Sequence, residues 1–212
     1  MRYVLSCVLA IGVLGLALSA KAEPSEAGFS AAARLGYGIP MGKVAGDATD
    51  ISDGVTGKIP IWVDVGYRLS PALFLGGYFQ YGIGIPKDCP TGASCSVGVK
   101  RLGFEAVFHL MSDAGFNPWV GAGLGYEWLS ISYSGDGQTV DGGADGFEFL
   151  NLQLGGDFAV NDQFGIGPYA AFSVGQYDTR SISSGGATLS ASIDDKAFHE
   201  WLQFGVKCTF DL

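Results

Sequence analysis

Charge is scarce in this chain, and positive charge is scarcest. Only 16% of the 212 residues are Asp, Glu, Lys or Arg, with 12 bases against 21 acids and a formal net charge of −9. So acidic a chain is a poor partner for a polyanion, and no nucleic-acid role is expected. Histidine is nearly missing, at two residues. No His or second Cys pair carries zinc-ligand spacing, so neither a metal nor a cofactor is expected. Beyond the first 22 residues, no run approaches the ~18 consecutive apolar residues of a transmembrane helix. No transmembrane helix is therefore expected after Ala22.

What is present is glycine, 34 residues or about twice the usual share. There is no collagen-like period, and glycine at this level suits tight turns and close strand packing. Apolar residues make up 48%, aromatics 13%, and the mean hydropathy is +0.27. An aromatic content of this kind suits a membrane interface or a large core.

The N-terminus reads as a processing segment. Arg2 is followed by an uncharged apolar stretch from Val4 to Ala20, and Ala20-Lys21-Ala22 is an A-x-A cleavage site. Residues 1–22 are therefore expected to be a cleaved signal peptide and 23–212 the mature domain. The alternative is an uncleaved membrane anchor. Val4-Leu5-Ser6-Cys7 lies too early for a lipoprotein box. Cleavage removes Arg2 and Lys21 and no acid, leaving ten bases against twenty-one acids, a net −11. Of the mature cysteines, Cys89 and Cys95 bracket C-P-T-G-A-S-C, which in an exported chain reads as a local disulfide. Two thiols are the alternative. Cys208 reads as a small hydrophobe.

The last eleven residues, L-Q-F-G-V-K-C-T-F-D-L, place Leu202, Phe204, Val206, Cys208, Phe210 and Leu212 against Gln203, Gly205, Lys207, Thr209 and Asp211. This is a two-sided strand. Seven more precede it, near 28–39, 58–69, 72–83, 97–110, 118–128, 150–160 and 164–174. Each sets apolar residues against Gly and polar residues. The connections alternate, long near 40–57, 84–96, 133–146 and 177–196, and short near 69–72, 111–117 and 161–163. An even strand count with short turns at one end and long loops at the other is the pattern of an outer-membrane barrel. The expected fold is thus all-β, an eight-stranded antiparallel up-and-down transmembrane β-barrel. A soluble β-sandwich is the alternative; the second strand face, mostly Gly and charge, holds too little to build another apolar layer.

At Phe116 to Leu129, F-N-P-W-V-G-A-G-L-G-Y-E-W-L, the chain resembles the small Gram-negative outer membrane protein W and A type barrels. The resemblance covers essentially all of 23–212 by pattern. It implies outer-membrane localisation, contact with lipid and lipopolysaccharide, and biogenesis through periplasmic chaperones and the barrel-assembly machinery. The closing strand is similar to the family's assembly signal, carried here by Phe204, Val206, Phe210 and Leu212. The family usually ends on an aromatic residue, and this chain departs from it with Leu212. No peptidoglycan-binding domain of the A type is expected after the strand.

The phase of alternation sends Arg34, Asp64, Arg68, Arg101, Glu105, Glu127, Asp157 and Lys207 inward. An eight-stranded interior is just wide enough for side chains to fill, and charges there must pair or be wetted. A polar network plugging the lumen is expected, helped by Trp62, Tyr78 and Tyr169. The alternative is a narrow conduit for small hydrophobic or ionic solutes. Tyr37, Tyr67, Tyr81, Tyr126, Trp128 and Phe210 fall near the ends of outward faces and form the expected aromatic girdle. Catalysis is not expected. Lipid-modifying enzymes and proteases on this scaffold need a base near the outer rim, and His199, beside Glu200, is the one acceptably placed, while His109 lies near a short turn. No His-x-Ser or Asp-His accompanies His199. Asp47, Asp50, Asp53, Asp136, Asp141 and Asp145 read as a solvated acidic face, with Ca²⁺ binding as the alternative. The expected function is structural or interactive, through extracellular loops whose partner the sequence does not name.

Overall fold

The computed structural model describes residues 27–46, 50–111, 115–135 and 137–212. The expected signal peptide, Asp47 and Asp136 lie outside the described residues. Within them the chain forms β1 (Gly28–Gly42), a single helical turn α1 (Ile51–Gly54), β2 (Val55–Ser70), β3 (Leu73–Pro86), β4 (Ser94–His109) and β5 (Phe116–Gly135). There follow β6 (Gln138–Ala159), β7 (Phe164–Ser184), β8 (Ala187–Ser192) and β9 (Phe198–Asp211). Each strand pairs antiparallel with the next from β1 to β7. β9 then closes the ring by pairing with both β7 and β1. The β1–β9 seam is continuous from Ser30↔Asp211 to Gly42↔His199. A ring without an edge satisfies every ladder position internally, as lipid demands.

The alternation decides which face meets lipid. Outward positions carry Phe29, Leu35, Ile61, Val63, Val65, Leu75, Phe79, Leu102, Phe104, Leu124, Leu152, Leu154, Phe204 and Val206, all exposed. Inward positions carry buried Ser30, Arg34, Asp64, Gln80, Arg101, Glu105, Glu127, Asn151, Gln153, Gln203 and Lys207. At these positions the polarity of a soluble protein is inverted, and the chain is a membrane-spanning barrel.

The glycines serve close approach. Tyr78 crosses the lumen over β4 and β5; a Cβ on Gly103 would lie 2.6 Å from its ring, and one on Gly125 2.5 Å from its hydroxyl. Tyr169 lies in the same way over Gly36, where a Cβ would sit 2.9 Å from its hydroxyl and against the Phe204 carbonyl. Large rings lie along the inner wall of a narrow tube only where the neighbouring strands beneath them have no side chain.

Two expected long loops are strands. Residues 133–135 end β5 and 138–146 begin β6, and 177–196 contains the end of β7 and all of β8. Their Gly, Ser, Thr and Asp composition reads as loop, yet Thr179, Ser181 and Ser183 and then Thr188, Ser190 and Ser192 fall at every second position, and the ladder runs unbroken from Gly125↔Glu148 to Gly135↔Gln138. The wall is therefore uneven. β1, β2, β3, β4 and β9 have 14 to 16 residues, whereas β5, β6 and β7 have 20 to 22. A span needs about ten. The tall side, with β8, rises beyond the rim as a paddle. Pro168 sits on the outward face opposite Val206, inside the expected seventh strand.

Filling the glycine under Tyr78 costs packing. Gly125→Val is expected to lower stability by about 1–3 kcal/mol through overpacking. Gly54→Ala, in open space, should leave it unchanged. Urea midpoints of the refolded barrel in lipid, read by the shift between unheated and boiled gel lanes, measure both. Equal midpoints for the two variants would remove this account of the glycines.

Candidate functional site

The β2–β3, β4–β5 and β6–β7 connections and both chain ends of the domain lie at one end of the barrel, the turn end. The loops and the paddle lie at the other. Between them the lumen is organised around two arginines.

Arg34, from β1, is the hub of the lower half. Its Nε donates to Asp64 Oδ2 at 2.7 Å, Nη1 to Gln153 Oε1 at 2.6 Å, and Nη2 to Glu105 at 3.3 Å. Gln153 Nε2 returns to Glu105 at 2.8 Å. The guanidinium lies 4.4 Å from the Trp62 ring centroid and 5.6 Å from those of Trp119 and Tyr169. Planar, delocalised charge stacks on rings while its edge meets carboxylates. Trp62, Phe74, Tyr78, Val107, Trp119, Tyr169 and Ala171 form the buried collar around it. Below, Asp157 accepts from Trp119 Nε1 at 3.1 Å and Thr209 Oγ1 at 3.2 Å, with Lys207 Nζ at 3.8 Å and 4.2 Å from the Trp119 centroid. Arg68 donates to Asp211 at 3.0 Å at the turn-end rim. His109 is buried, its Nδ1 3.0 Å from Asn117 Nδ2.

Arg101, from β4, is the hub of the upper half. It pairs with Glu127, and its Nη1 donates to Glu148 Oε1 at 3.0 Å and Ser173 Oγ at 2.8 Å. Glu127 also accepts from the Tyr177 hydroxyl and, at 3.3 Å, from Trp201 Nε1. His199 Nε2 lies 3.2 Å from the same carboxylate, with its ring stacked on Tyr177 at 4.0 Å. Glu148 accepts from the Tyr78 hydroxyl at 2.5 Å and Asn151 Nδ2 at 3.1 Å. Lys58 Nζ sits 4.0 Å over the Trp201 ring. Above this layer, Val97, Val99, Leu129, Ala144, Tyr177 and Trp201 of the wall meet Ala45, Ile51, Val55 and Ile193 from the loop end, in one buried apolar cluster.

All eight inward charges named from sequence lie in the lumen or at its turn-end rim. Five partners were missed, namely Lys58, Glu148 and the buried aromatic residues Trp119, Tyr177 and Trp201. Glu148 escapes because β6 carries a bulge, so that Phe149 and Leu150 both point outward. The signal is in the sequence, as F-E-F meeting L-N-L with two apolar residues in a row. Of the girdle residues, Tyr37, Tyr81, Tyr126 and Trp128 lie toward the loop end, Tyr67 and Phe210 toward the turn end. They are joined by Phe147, Phe149 and Phe198 above and Phe29, Phe116 and Phe158 below. Cys89 and Cys95 form a disulfide, with a Cα–Cα distance of 5.8 Å, in the exposed β3–β4 loop. Among the described residues no cluster of His, Cys, Asp and Glu is arranged to hold a metal ion.

No family model matches this chain, and no curated protein matches it either. Solved structures do. Neisserial surface protein A aligns at 14% identity over 86% of this chain and 97% of its own, with a TM-score of 0.52. The outer membrane protein OprG of Pseudomonas aeruginosa aligns at 12% identity over 90% and 99%, with a TM-score of 0.55. A major outer membrane protein of Thermus thermophilus aligns at 11% identity over 88% and 99%, with a TM-score of 0.59. At these identities the fold alone is shared, that of small outer-membrane barrels. With the apolar exterior, this makes the chain an integral outer-membrane β-barrel.

The lumen charges are coupled to stability. Arg101→Met leaves Glu127 and Glu148 buried without their cation and is expected to cost about 3–5 kcal/mol. Arg68→Met breaks a pair whose Asp211 side chain is 43% exposed, and should cost at most about 1 kcal/mol. Unfolding midpoints in lipid vesicles compare them. Equal losses would show that burial of the upper pair has no energetic consequence.

Proposed function

We propose that this barrel is closed, and that it works as a membrane anchor and interaction module through the surface above its loop end, not as a pore or an enzyme. The observation that carries this reading is the double obstruction of the lumen. The collar of Trp62, Trp119 and Tyr169 clamps Arg34 below, and the apolar cluster of Ala45, Ile51, Val55, Ile193, Val99 and Trp201 caps the upper charges. The turn-end cleft, lined by Asp64, Glu105, His109 and Lys207, has a volume of about 10 Å³, room for roughly one water. Neither a base nor an ion route is served by groups so enclosed. In this reading His199, stacked on Tyr177 and facing Glu127, is a structural partner of that carboxylate.

The partners follow from the exterior. The apolar band and its aromatic belts face lipid and lipopolysaccharide. The closing strand, with Phe204, Val206, Phe210 and Leu212 outward, is what the assembly machinery would recognise, and periplasmic chaperones would hold the unfolded chain. The acidic residues Asp50 and Asp53 of the β1–β2 connection and Asp141 and Asp145 of β6 remain a solvated face in this reading, without calcium.

A narrow conduit is the second reading. It is favoured by buried polar atoms that lack a hydrogen-bond partner among the described residues, including Lys58 Nζ, Asn151 Oδ1 and both amide atoms of Gln80 and Gln203. A file of water would satisfy them.

Single-channel recording of the refolded mature chain in planar bilayers separates the two. No unitary steps are expected. Steps whose size changes in Arg101→Ala or Glu105→Ala would replace the closed barrel with a conduit. Lipid A mass in cells carrying the protein is expected to be unaltered, and a mass change that disappears in His199→Ala would make it an enzyme.

A further inference from the structure

The paddle has two chemically opposite faces, and the register assigns every residue to one of them. Ser130, Ser132 and Ser134 of β5 pair with Gly143, Asp141 and Thr139 of β6. Asp145, Gly143 and Asp141 pair in turn with Thr179, Ser181 and Ser183 of β7, and those with Ser192, Ser190 and Thr188 of β8. On the other side, Ser94 and Ser96 of β4 pair with Ser134 and Ser132. These positions continue the outward phase of Tyr126 and Trp128. The side-chain contacts agree, with the Ser132 hydroxyl donating to Asp141 at 2.5 Å, Ser134 and Thr139 hydroxyls 2.9 Å apart, Ser183 and Thr188 2.8 Å apart, and the Tyr126 hydroxyl donating to Asp145 at 2.5 Å. The outward face is thus hydroxyls and two carboxylates, interrupted only by glycine, across five strands. The opposite face carries Ile131, Tyr133, Val140, Ile182, Leu189 and Ala191, and among the described residues its polar members are Arg180, opposite Ala191, and Gln138 and Ser184 at the tip.

We infer that this outward hydroxyl face binds saccharide, and that its saccharide is the sugar layer of the leaflet in which the barrel sits. Four observations converge. First, the face holds no basic side chain. Lys100 stands below it, in register with Trp128, so the chemistry is that of sugar hydroxyls and not of phosphate, which Arg and Lys would recognise. Second, an ordered sheet sets hydroxyl rows about 4.8 Å apart across strands and about 6.8 Å apart along them. Such a grid offers alternating donors and acceptors to a polyhydroxylated partner. Asp141 and Asp145 add acceptors that are already held in place. Third, a groove of about 580 Å³ lies at its tip, between the β5–β6 and β7–β8 turns. It is lined by Gln138, Thr139, Asp141, Ser183 and Thr188, and its volume is that of a small-molecule site. Fourth, the face runs directly up from Trp128 and Tyr126, whose rings lie 4.8 Å apart in the loop-end aromatic belt. An outward face immediately above that belt looks along the membrane, at the headgroup and sugar layer of its own leaflet. The inference rests on the proposed placement of the loop end outside the cell.

The test compares the two faces of one ribbon. Ser183→Cys places a thiol on the hydroxyl face, and Ile182→Cys, its neighbour, one on the apolar face. Each mature variant, shown folded by heat-modifiability, is reconstituted into vesicles containing either lipid A alone or lipopolysaccharide with its core sugars. Labelling by a membrane-impermeant maleimide is then timed. Core sugars are expected to slow Ser183→Cys about ten-fold and to leave Ile182→Cys unchanged. Asp141→Asn with Thr188→Ala should restore most of the Ser183→Cys rate. Equal slowing on both faces would indicate crowding, and equal rates in both membranes a phosphate or lipid contact or none; either overturns the inference. So does equal slowing by core oligosaccharide released from lipid and added to sugar-free vesicles, because it removes the assignment to the barrel's own leaflet. Loss of heat-modifiability in the unsubstituted chain would fault the barrel itself, and conductance would fault the closed lumen, so neither is confused with this result.

Discussion

An eight-stranded ring has an interior that only its own side chains can fill, and it has lipid outside. Every polar group turned inward must therefore find its partner across the lumen, within reach of one residue's length. The rest of the molecule follows from that limit. Two arginines, each able to present several donors in a plane, gather carboxylates contributed by different walls. Arg34 draws on β2, β4 and β6; Arg101 draws on β5, β6 and a β7 hydroxyl. The charges thus tie opposite walls of the barrel to each other, a task that the ladder between neighbours cannot perform.

The same limit explains the pairing of large rings with bare backbone. Tyr78 and Tyr169 each lie over neighbouring strands of the inner wall that, at the contact, present glycine. Two ring hydroxyls also reach a charge, Tyr78 at Glu148 and Tyr177 at Glu127; that of Tyr169 has no hydrogen-bond partner among the described residues. At Tyr78, ring, glycine and carboxylate form one packing unit. Separately, each would be a fault: a glycine in a strand, a buried hydroxyl or a buried charge. Such units are stiff, because no member has a second place to go.

Much of this was legible because period-two alternation survives in every ring strand, and because its phase is the inward or outward assignment. Eight strands, the ring, the inward charges from Arg34 to Lys207 and the two belts follow from phase alone. Phase cannot count across a bulge, and Glu148 was lost at the Phe149-Leu150 break. It also cannot separate an inward aromatic residue from an outward one when both suit the pattern. Trp119 lies beside outward Val120, and only the geometry shows that its indole reaches Asp157. The paddle was lost for a different reason. Its strands alternate too, but the outward positions carry Ser, Thr, Asp or Gly and the contrast with their neighbours is one that hydropathy reads as loop.

That failure carries physical information. Along β5 the outward series runs Leu124, Tyr126, Trp128, Ser130, Ser132, Ser134, and the inward series Glu127, Leu129, Ile131, Tyr133. No residue is inserted between them, as the pairing with β4 and β6 is continuous from Gly125 upward. The backbone has not turned over, so the surroundings have. Below Trp128 the outer face needs apolar groups and the inner face tolerates charge; above it the outer face needs hydroxyls and the inner face is apolar. β6 changes between Phe147 and Asp145, and β7 between Val174 and Thr179, in step with β5. A reversal that falls at one height on three neighbouring strands is set by the medium they cross, and it marks where lipid ends. Above that line the exterior still faces along the membrane. The side chains found there are those that fit a layer of sugars.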